Sequence, residues 1–218
     1  MSCNDRGYRF SEARDELRDK AIAFHRQRYL EIGFMPENFQ DPHEKDSIYF
    51  MARFEGQTPP VAVCRLVIQP LECLATYAHF ELFEHERKAL KHLRPGTYTE
   101  LGALTKRPNL PDLVPGLIAT ALLHASRQGM TLLLCCIDQR FFDMLRLHLE
   151  LPLRLIGTPK VFHGSIKLPC AVDIQECLAR LRLKRPQALQ RLEQLADIQQ
   201  QRLTFPLSAP ERVHAALG

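Results

Sequence analysis

The stretch that decides the fold is residues 97–137, which read TYTELGALTKRPNLPDLVPGLIATALLHASRQGMTLLLCCI. Its first part, 97–104, has the composition of a strand, and a loop follows at 106–111. Residues 113–128 carry apolar side chains at helical spacing and end before Gly129, which predicts a helix. The unbroken apolar run 130–137 predicts a strand covered on both faces. A strand, a crossover helix and a second buried strand together predict an α/β fold.

Length, charge and cysteine content restrict the class of protein. The chain has 218 residues and a formal net charge of +4, which favours one large domain and gives no sign of nucleic-acid binding. No apolar run reaches the roughly 20 residues that span a bilayer, and the N-terminus lacks the apolar core of a signal peptide. The seven cysteines show no C-x-x-C spacing, which is typical of reduced thiols. We therefore expect a cytoplasmic protein without a transmembrane segment, and leave peripheral contact with a membrane open.

The remaining elements follow from the same periodicities. Helices are predicted at 11–33, 83–93 and 141–149, and strands at 48–54, 61–68, 153–157 and 160–166. A polar loop at 35–45 is long enough to cover a site, and the chain turns helical again from Ile174. We expect the main domain at 1–175, and a C-terminal helical extension with a loose tail at 176–218 packed on that domain.

Two charged side chains interrupt strands of otherwise buried type. Glu100 lies in the strand at 97–104 and Arg65 in the strand at 61–68, where a charge is costly without a partner or a function. We expect the two to form an ion pair across neighbouring strands, which is either structural or part of a site. The Cys135–Cys136 pair is interpreted as part of the core, with a reactive thiol as the alternative. His163 is interpreted as a structural strand histidine, with a position facing a cleft as the alternative.

Motifs for a nucleophile or a metal are missing from the sequence. It contains no G-x-S-x-G, no H-E-x-x-H and no P-loop. The nine histidines lack ligand spacing, so we expect no metal site.

The order of the segments resembles the GNAT acyltransferase superfamily, in its branch of autoinducer synthases and long-chain N-acyl amino acid synthases. The matching segments are RQRYLEIGF at 26–34, DSIYFMA at 46–52, VAVCRL at 61–66, TELGAL at 99–104, and the region from 156 to 169. This resemblance implies a single-domain, three-layer α/β sandwich with a mixed, mostly antiparallel sheet and helices on both faces. It also implies that an acyl chain passes from a thioester on acyl carrier protein to an amine.

The resemblance assigns catalytic roles to two residues of this chain. Glu100 resembles the strand carboxylate that helps to deprotonate the attacking amine through water, and Arg65 resembles the strand arginine. Ala103 stands where the family has a further arginine. This departure favours the alternative of a non-catalytic binding module.

Substrate contacts are also implied by the resemblance. The candidates are Asp46 toward the amine, Phe34 against the hydrocarbon, a helix arginine at Arg26 or Arg28, and Leu101 and Gly102 beside Glu100. The first acidic residue of the acceptor loop falls at Asp41 or Glu44. We expect the helix end and the loop to close over the acyl chain and the amine. The alternatives are that the arginines only complement the helix dipole and that the loop is a plain connector.

The loop after Glu100 bears on the acyl donor. Coenzyme A is bound in ordinary members of the superfamily by a glycine-rich turn, whose amides point at phosphate. Residues 106–115 contain three prolines and no glycine, and proline has no amide donor. Lys106 and Arg107 are therefore candidates for contact with an acidic carrier protein or a phosphopantetheine phosphate, or else form a solvated basic turn.

These observations predict an N-acyltransferase that moves a fatty acyl group from an acyl-carrier-protein thioester to the amine of an amino acid or a related small molecule. No permanently bound cofactor is expected, because the acyl-phosphopantetheine thioester is the donor. The alternatives are an acyl-CoA-dependent N-acyltransferase and a module that binds lipid or carrier protein without turnover.

Overall fold

The computed structural model describes residues 7–34, 36, 38, 40–110, 113–187, 189–190 and 192–194. Its strands are β1 (Tyr8–Glu12), β2 (Ser47–Phe54), β3 (Ala62–Val67), β4 (Tyr98–Lys106), β5 (Leu132–Asp138), β6 (Arg154–Leu155), β7 (Lys160–Phe162) and β8 (Ser165–Asp173). Its helices are α1 (Glu16–Glu31), α2 (Ala75–His79), α3 (Glu84–Lys91), α4 (Leu113–Arg127), α5 (Gln139–His148) and α6 (Ile174–Lys184), with a short 3-10 helix at Leu71–Cys73.

The strands form one mixed sheet in the order β1-β2-β3-β4-β5-β8-β6, and β7 pairs with β8 outside this path. Within it, β4 and β5 run parallel, and the other pairs are antiparallel. Helix α4 connects the two parallel strands, which need a crossover of this kind. The strand, helix and strand predicted from residues 97–137 are therefore confirmed.

Helices cover both faces of the sheet. Successive side chains of a strand point to opposite faces, so alternate residues of β3 contact different helices. Cys64 and Leu66 of β3 pack in one cluster with α4 and α6. The alternate residue Val63 packs against α1, and Val67 packs against the 3-10 helix and α2. Arg65 belongs to the same alternate set, so its side chain lies on the α1 and α2 face.

The centre of the sheet opens between β4 and β5. Their parallel ladder joins Tyr98–Glu100 only to Leu132–Leu134, whereas β5 continues to Asp138 along β8. On its other side, β4 contains a bulge against β3, where the register shifts between Val63 and Arg65. Ala103 in this bulge has a φ of 52°, in the left-handed region that few non-glycine residues adopt. A bulge bends its strand, and β4 leaves β5 at this point.

Two predicted elements were wrong in their bounds. The helix predicted at 11–33 begins only at Glu16, because the preceding residues pair with β2 as strand β1. The strand predicted at 160–166 is a hairpin, in which Phe162 pairs with Ser165. His163 and Gly164 form its turn with φ values of 48° and 77°, as a two-residue hairpin loop requires.

The start of the C-terminal extension belongs to the main core. Cys177 and Leu181 of α6 lie in the same apolar cluster as α4 and β5. The boundary at residue 175 stays a prediction, and the loose tail predicted after Thr204 lies outside the described residues. Among the helices described, none is long and apolar enough to cross a membrane.

Candidate active site

A cavity of about 590 Å³ lies where β4 and β5 separate, on the face covered by α1 and α2. Its polar lining residues are Gln40, Asp41, His43, Arg65, His79, Glu100, Cys136, His163 and Lys167, and the others are Tyr29, Phe34, Pro42, Val67, Ala75, Leu101, Gly102, Ala103 and Phe162. Charged groups and aromatic rings thus line one space. The sequence candidates Glu100, Arg65, Phe34, Leu101 and Gly102 are all brought together here.

Glu100 is a buried carboxylate whose hydrogen-bond partners come from α2. One carboxylate oxygen, Oε1, accepts the Thr76 backbone N–H at 2.9 Å and the Thr76 hydroxyl at 2.6 Å. The N–H groups of a first helical turn have no partner within the helix, so this donor is available. Burial raises the pKa of Glu100 and the Thr76 hydrogen bonds lower it, with a net result above the ordinary value. Glu100 therefore holds a proton more readily than a carboxylate in water.

Arg65 forms its ion pair with Asp41, so the expected pair with Glu100 was wrong. Its guanidinium donates to both carboxylate oxygens of Asp41 and to the Tyr49 hydroxyl, the last at 3.0 Å. The Arg65 and Asp41 side chains are only 8% and 4% exposed. Arg65 lies opposite Gly102 in the register, and Glu100 lies opposite Val67. The side chains of Arg65 and Glu100 lie on the same face of the sheet. The carboxylate that pairs with Arg65, however, is that of Asp41 in the loop before β2.

The ion pair fixes the charge of both partners. Burial raises the pKa of Asp41, but the hydrogen bonds and charge of Arg65 more than offset this and hold it below the ordinary value. Burial lowers the pKa of Arg65, and the hydrogen bond to Asp41 raises it to a net value above the ordinary one. Arg65 Nε has no hydrogen-bond partner among the described residues, and lies 3.7 Å from where a Cβ on Gly102 would be. A donor is therefore left beside the cavity wall.

A hydrogen-bonded chain runs from His43 to Asp46. His43 Nδ1 lies 2.7 Å from Gln69 Oε1, and Gln69 Nε2 donates to Asp46 Oδ2 at 2.8 Å. His43 lines the cavity, whereas Gln69 and Asp46 do not. Asp46 is therefore linked to the cavity wall by hydrogen bonds through Gln69 and His43.

Aromatic rings line the other part of the cavity. The Phe34 ring packs edge-on against Tyr29, with centroids 5.4 Å apart, and lies 6.5 Å from the His163 ring. Phe162 packs on His163 at 4.1 Å. The ammonium group of Lys167 lies 5.1 Å from the Phe34 centroid and 2.9 Å from Asp138. His163 was expected to be structural, but it is a cavity residue in a hairpin turn.

Three predicted substrate-binding residues lie outside the cavity wall. Arg26 forms an ion pair with Glu44 and its side chain is 52% exposed. Arg28 pairs with Glu31 of the same helix. Asp46 is exposed and bonded to Gln69. Both arginines are thus paired with carboxylates outside the cavity, and the candidate site includes none of the three.

Of the carrier-binding candidates, Lys106 ends β4 and Arg107 begins the loop that follows. Lys106 donates to the Leu110 carbonyl at 3.2 Å, and Arg107 is exposed. Neither lines the cavity. Among the described residues, no cluster of His, Cys, Asp and Glu could hold a metal ion.

Cys136 and Thr76 are functional-site residues that the sequence reasoning missed. Cys135 is buried among the α4-face residues, but strand alternation turns Cys136 to the cavity. Burial raises the pKa of Cys136 to about 12, so its thiol stays protonated. The alternation of β5 could have separated the two cysteines, whereas no sequence signal marks Thr76, which lies in a segment interpreted as irregular.

A second cavity, of about 680 Å³, lies beside α5 and is lined by Asp138, Arg140, Phe141 and Ile166 among others. Its one carboxylate, Asp138, is bound to Ser165 and Lys167 and is 45% exposed. The smaller cavity contains the buried charges and is the candidate site.

Comparison with known proteins supports the fold. No family model matches the sequence, and no curated protein matches it. TofI, solved in a ternary complex with an inhibitor and MTA, matches with a TM-score of 0.61 at 20% identity, over 80% of this chain and 95% of that chain. FeeM, an N-acyl amino acid synthase from uncultured soil microbes, matches with a TM-score of 0.59 at 16% identity, over 79% and 95%. MesI, a CoA-dependent acyl-homoserine lactone synthase, matches with a TM-score of 0.56 at 14% identity, over 80% and 93%.

This chain has the fold of the autoinducer synthases and N-acyl amino acid synthases. The predicted GNAT-like sandwich, with a mixed and mostly antiparallel sheet between helices, is thereby confirmed. In this fold, the opening between β4 and β5 brings together the buried side chains of Asp41, Arg65 and Glu100.

The Asp41–Arg65 pair gives a stability prediction. Asp41→Asn leaves the buried Arg65 charge without its counter-ion and should cost about 3–5 kcal/mol of unfolding free energy at neutral pH. Because the folded-state pKa of Asp41 is lowered, its contribution is present above the ordinary value of 3.8 and is lost as the pH falls through the lowered value. Urea unfolding between neutral pH and pH 3 measures this.

Glu44→Gln is the matched control, because it breaks the exposed pair with Arg26 and should cost no more than about 1 kcal/mol. Equal effects of the two substitutions at neutral pH would contradict the buried pair.

Proposed function

We propose that this protein is an N-acyltransferase that moves a fatty acyl group from an acyl-carrier-protein thioester to the amine of an amino acid or a related small molecule. The observation that carries the proposal is the buried Glu100 carboxylate in a cavity at the open edge of β4. The fold shared with FeeM and MesI, which are named as synthases of N-acyl products, supports acyl transfer as the class of reaction.

The cavity offers donors for the oxyanion that forms when an amine attacks a thioester. The β4–β5 ladder ends at Glu100 and Leu134, so, within the described part of the chain, β4 from Leu101 to Ala103 has no strand on its β5 side. The backbone N–H groups that point to that side, together with Arg65 Nε–H, are available to a carbonyl oxygen. Donors fixed in place before the reaction stabilise such a charge at low reorganisation cost.

Glu100 takes a proton in this proposal. Its raised pKa suits a group that accepts a proton from the attacking nitrogen and gives it to the leaving thiolate, because both transfers need intermediate basicity. Oε1 is held by Thr76, which keeps the carboxylate in place during both transfers.

The aromatic part of the cavity suits the hydrocarbon. The rings of Phe34, Tyr29 and Phe162 supply apolar surface next to the polar groups. Burial of each methylene of an acyl chain contributes about 0.8 kcal/mol. This surface also keeps water from the thioester.

The carrier protein as donor rests on the segment that runs from the end of β4 into α4. Pro108 in the loop and Pro115 in α4 offer no amide donor. The exposed Arg107 with the neighbouring Lys106 suits an acidic surface. MesI is named as CoA-dependent, so the CoA thioester is the direct competitor. The six described cysteines are free thiols, which supports a reducing compartment and hence the cytoplasm as the place of the reaction.

A second candidate is a module that holds an acylated ligand without turnover. Ala103 favours it, because this small side chain lines the cavity at the bulge where the family resemblance leads one to expect an arginine. The catalytic candidates Glu100 and Arg65 are both in place, which favours the enzyme.

Glu100→Gln separates catalysis from folding. The amide oxygen can still accept both Thr76 hydrogen bonds, but the side chain no longer takes a proton, so turnover should fall about 100-fold. Because burial raises the folded-state pKa of Glu100, the wild-type protein loses stability as the pH rises through that value, and the variant does not. We therefore expect the variant to be at least as stable as the wild type at neutral pH. Full activity in Glu100→Gln would remove Glu100 from the mechanism.

The donor is tested by comparing turnover of dodecanoyl thioesters on acyl carrier protein and on coenzyme A. Faster turnover of the carrier thioester is expected. Reversing the charge of Lys106 and Arg107 together should raise KM for the carrier thioester, more strongly at low salt because the attraction is screened by ions. Equal or faster turnover of the CoA thioester, with no effect of charge reversal, would contradict the carrier assignment.

A further inference from the structure

We propose that His43 is the base that takes the first proton from the ammonium group of the acceptor, and that Gln69 and Asp46 position it. This inference rests on the proposed acyl transfer and adds a residue that the resemblance does not assign.

The hydrogen-bonded chain fixes the tautomer of His43. A carboxylate only accepts hydrogen bonds at neutral pH, so the Gln69 group that faces Asp46 Oδ2 at 2.8 Å is the amide NH₂. The opposite end of the same amide is then the carbonyl oxygen, which also only accepts. His43 Nδ1, 2.7 Å away, must therefore carry the proton. The lone pair is left on Nε2.

We assign the free nitrogen to the cavity, because His43 lines the cavity, whereas Gln69, which holds the other nitrogen, does not. The backbone is fixed as well, because His43 N–H donates to Asp41 Oδ1 at 2.9 Å and the His43 carbonyl accepts the Ser47 hydroxyl. Main chain and ring are thus both held, as a base must be to accept a proton in a fixed direction.

His43 is the accessible base for the first proton, because the two carboxylates of the cavity have other partners. Asp41 forms an ion pair with Arg65, and Glu100 accepts hydrogen bonds from Thr76. His43 and Glu100 both line the cavity, so the two bases face one space.

The other titratable groups of the cavity do not compete. Tyr29 of α1 and Cys136 of β5 have pKa values raised by burial to about 12, so both stay neutral. Lys167 of β8 is bound to Asp138. His79 of α2 and His163 lie with the Phe162 ring, on the aromatic part of the cavity.

Two bases match the proton balance of the reaction. The acceptor enters as R–NH₃⁺ and leaves as an amide with one N–H, so two protons must go. His43 Nε2 takes the first, which frees the lone pair for attack, and later releases it to water. The N–C bond forms, the C–S bond breaks, and the second proton passes by way of Glu100 to the thiolate sulfur. No oxidant or reductant is involved.

The test compares His43→Gln with the wild type and with His92→Gln, a substitution of an exposed histidine at the end of α3. Dodecanoyl acyl carrier protein and a mixture of the standard amino acids are the substrates, and kcat is followed against pH. His43→Gln should have a kcat about 100-fold or more below that of the wild type at neutral pH, and this deficit should shrink as the pH rises and free amine becomes available in solution. His92→Gln should match the wild type.

A second readout does not depend on turnover. In ¹⁵N-histidine NMR spectra, His43 should carry its proton on Nδ1, and Gln69→Leu should abolish this preference and lower kcat with little change in KM. A wild type without any acyl transfer would reject the proposed function together with this base. An active wild type with His43→Gln within threefold of its kcat, or with the His43 proton on Nε2, would reject the base alone.

Discussion

Strand β4 contains a bulge at Ala103, where it has one residue more than the paired strand β3. The hydrogen-bonded ladder between β4 and β5 ends just before this bulge, at Glu100. Both features turn the middle of β4 away from its parallel neighbour, and the cavity occupies the gap. The site therefore exists because the sheet is interrupted at its centre, where a continuous ladder would have filled the space with backbone hydrogen bonds. Bulges that re-aim side chains are common beside active sites. Here the bulge leaves Leu101 and Gly102 facing a space that a ligand can enter.

The charges around this gap are arranged in two separate groups. Asp41 and Arg65 neutralise each other in a pair that is almost fully buried, so the pair organises the wall and contributes little net field. Among the described residues, Glu100 has hydroxyl and amide partners and forms no ion pair, and its burial raises its pKa. A buried ion pair fixes the geometry of the site, because each charge needs its partner. A buried carboxylate without an ion-pair partner has a raised pKa and can exchange a proton.

The central strands, the crossover helix and the two buried charges could be predicted because each depends on a local pattern. Glu100 and Arg65 are conspicuous within apolar runs, and periodicity alone assigns the strands that carry them. The partners could not be predicted in this way. Asp41 reaches Arg65 from a loop 24 residues earlier, and Thr76 reaches Glu100 from a short helix without a sequence signature. The hairpin at His163 was missed because its turn lacks the usual Asn-Gly or Asp-Gly pair. These features depend on contacts between segments that are distant in the sequence, and such contacts leave no periodic pattern of residues.

The most direct test of acyl transfer at this cavity is mass spectrometry of lipid extracts from cells that overproduce the protein. Cells with the unaltered chain should accumulate new N-acyl amines. Cells with Ala75→Phe, which fills the cavity from α2, should not, whereas Ala78→Phe on the exposed side of the same helix should leave the products unchanged. An unaltered protein that co-purifies with lipid but yields no new acylated amine would contradict the account and identify a binding module.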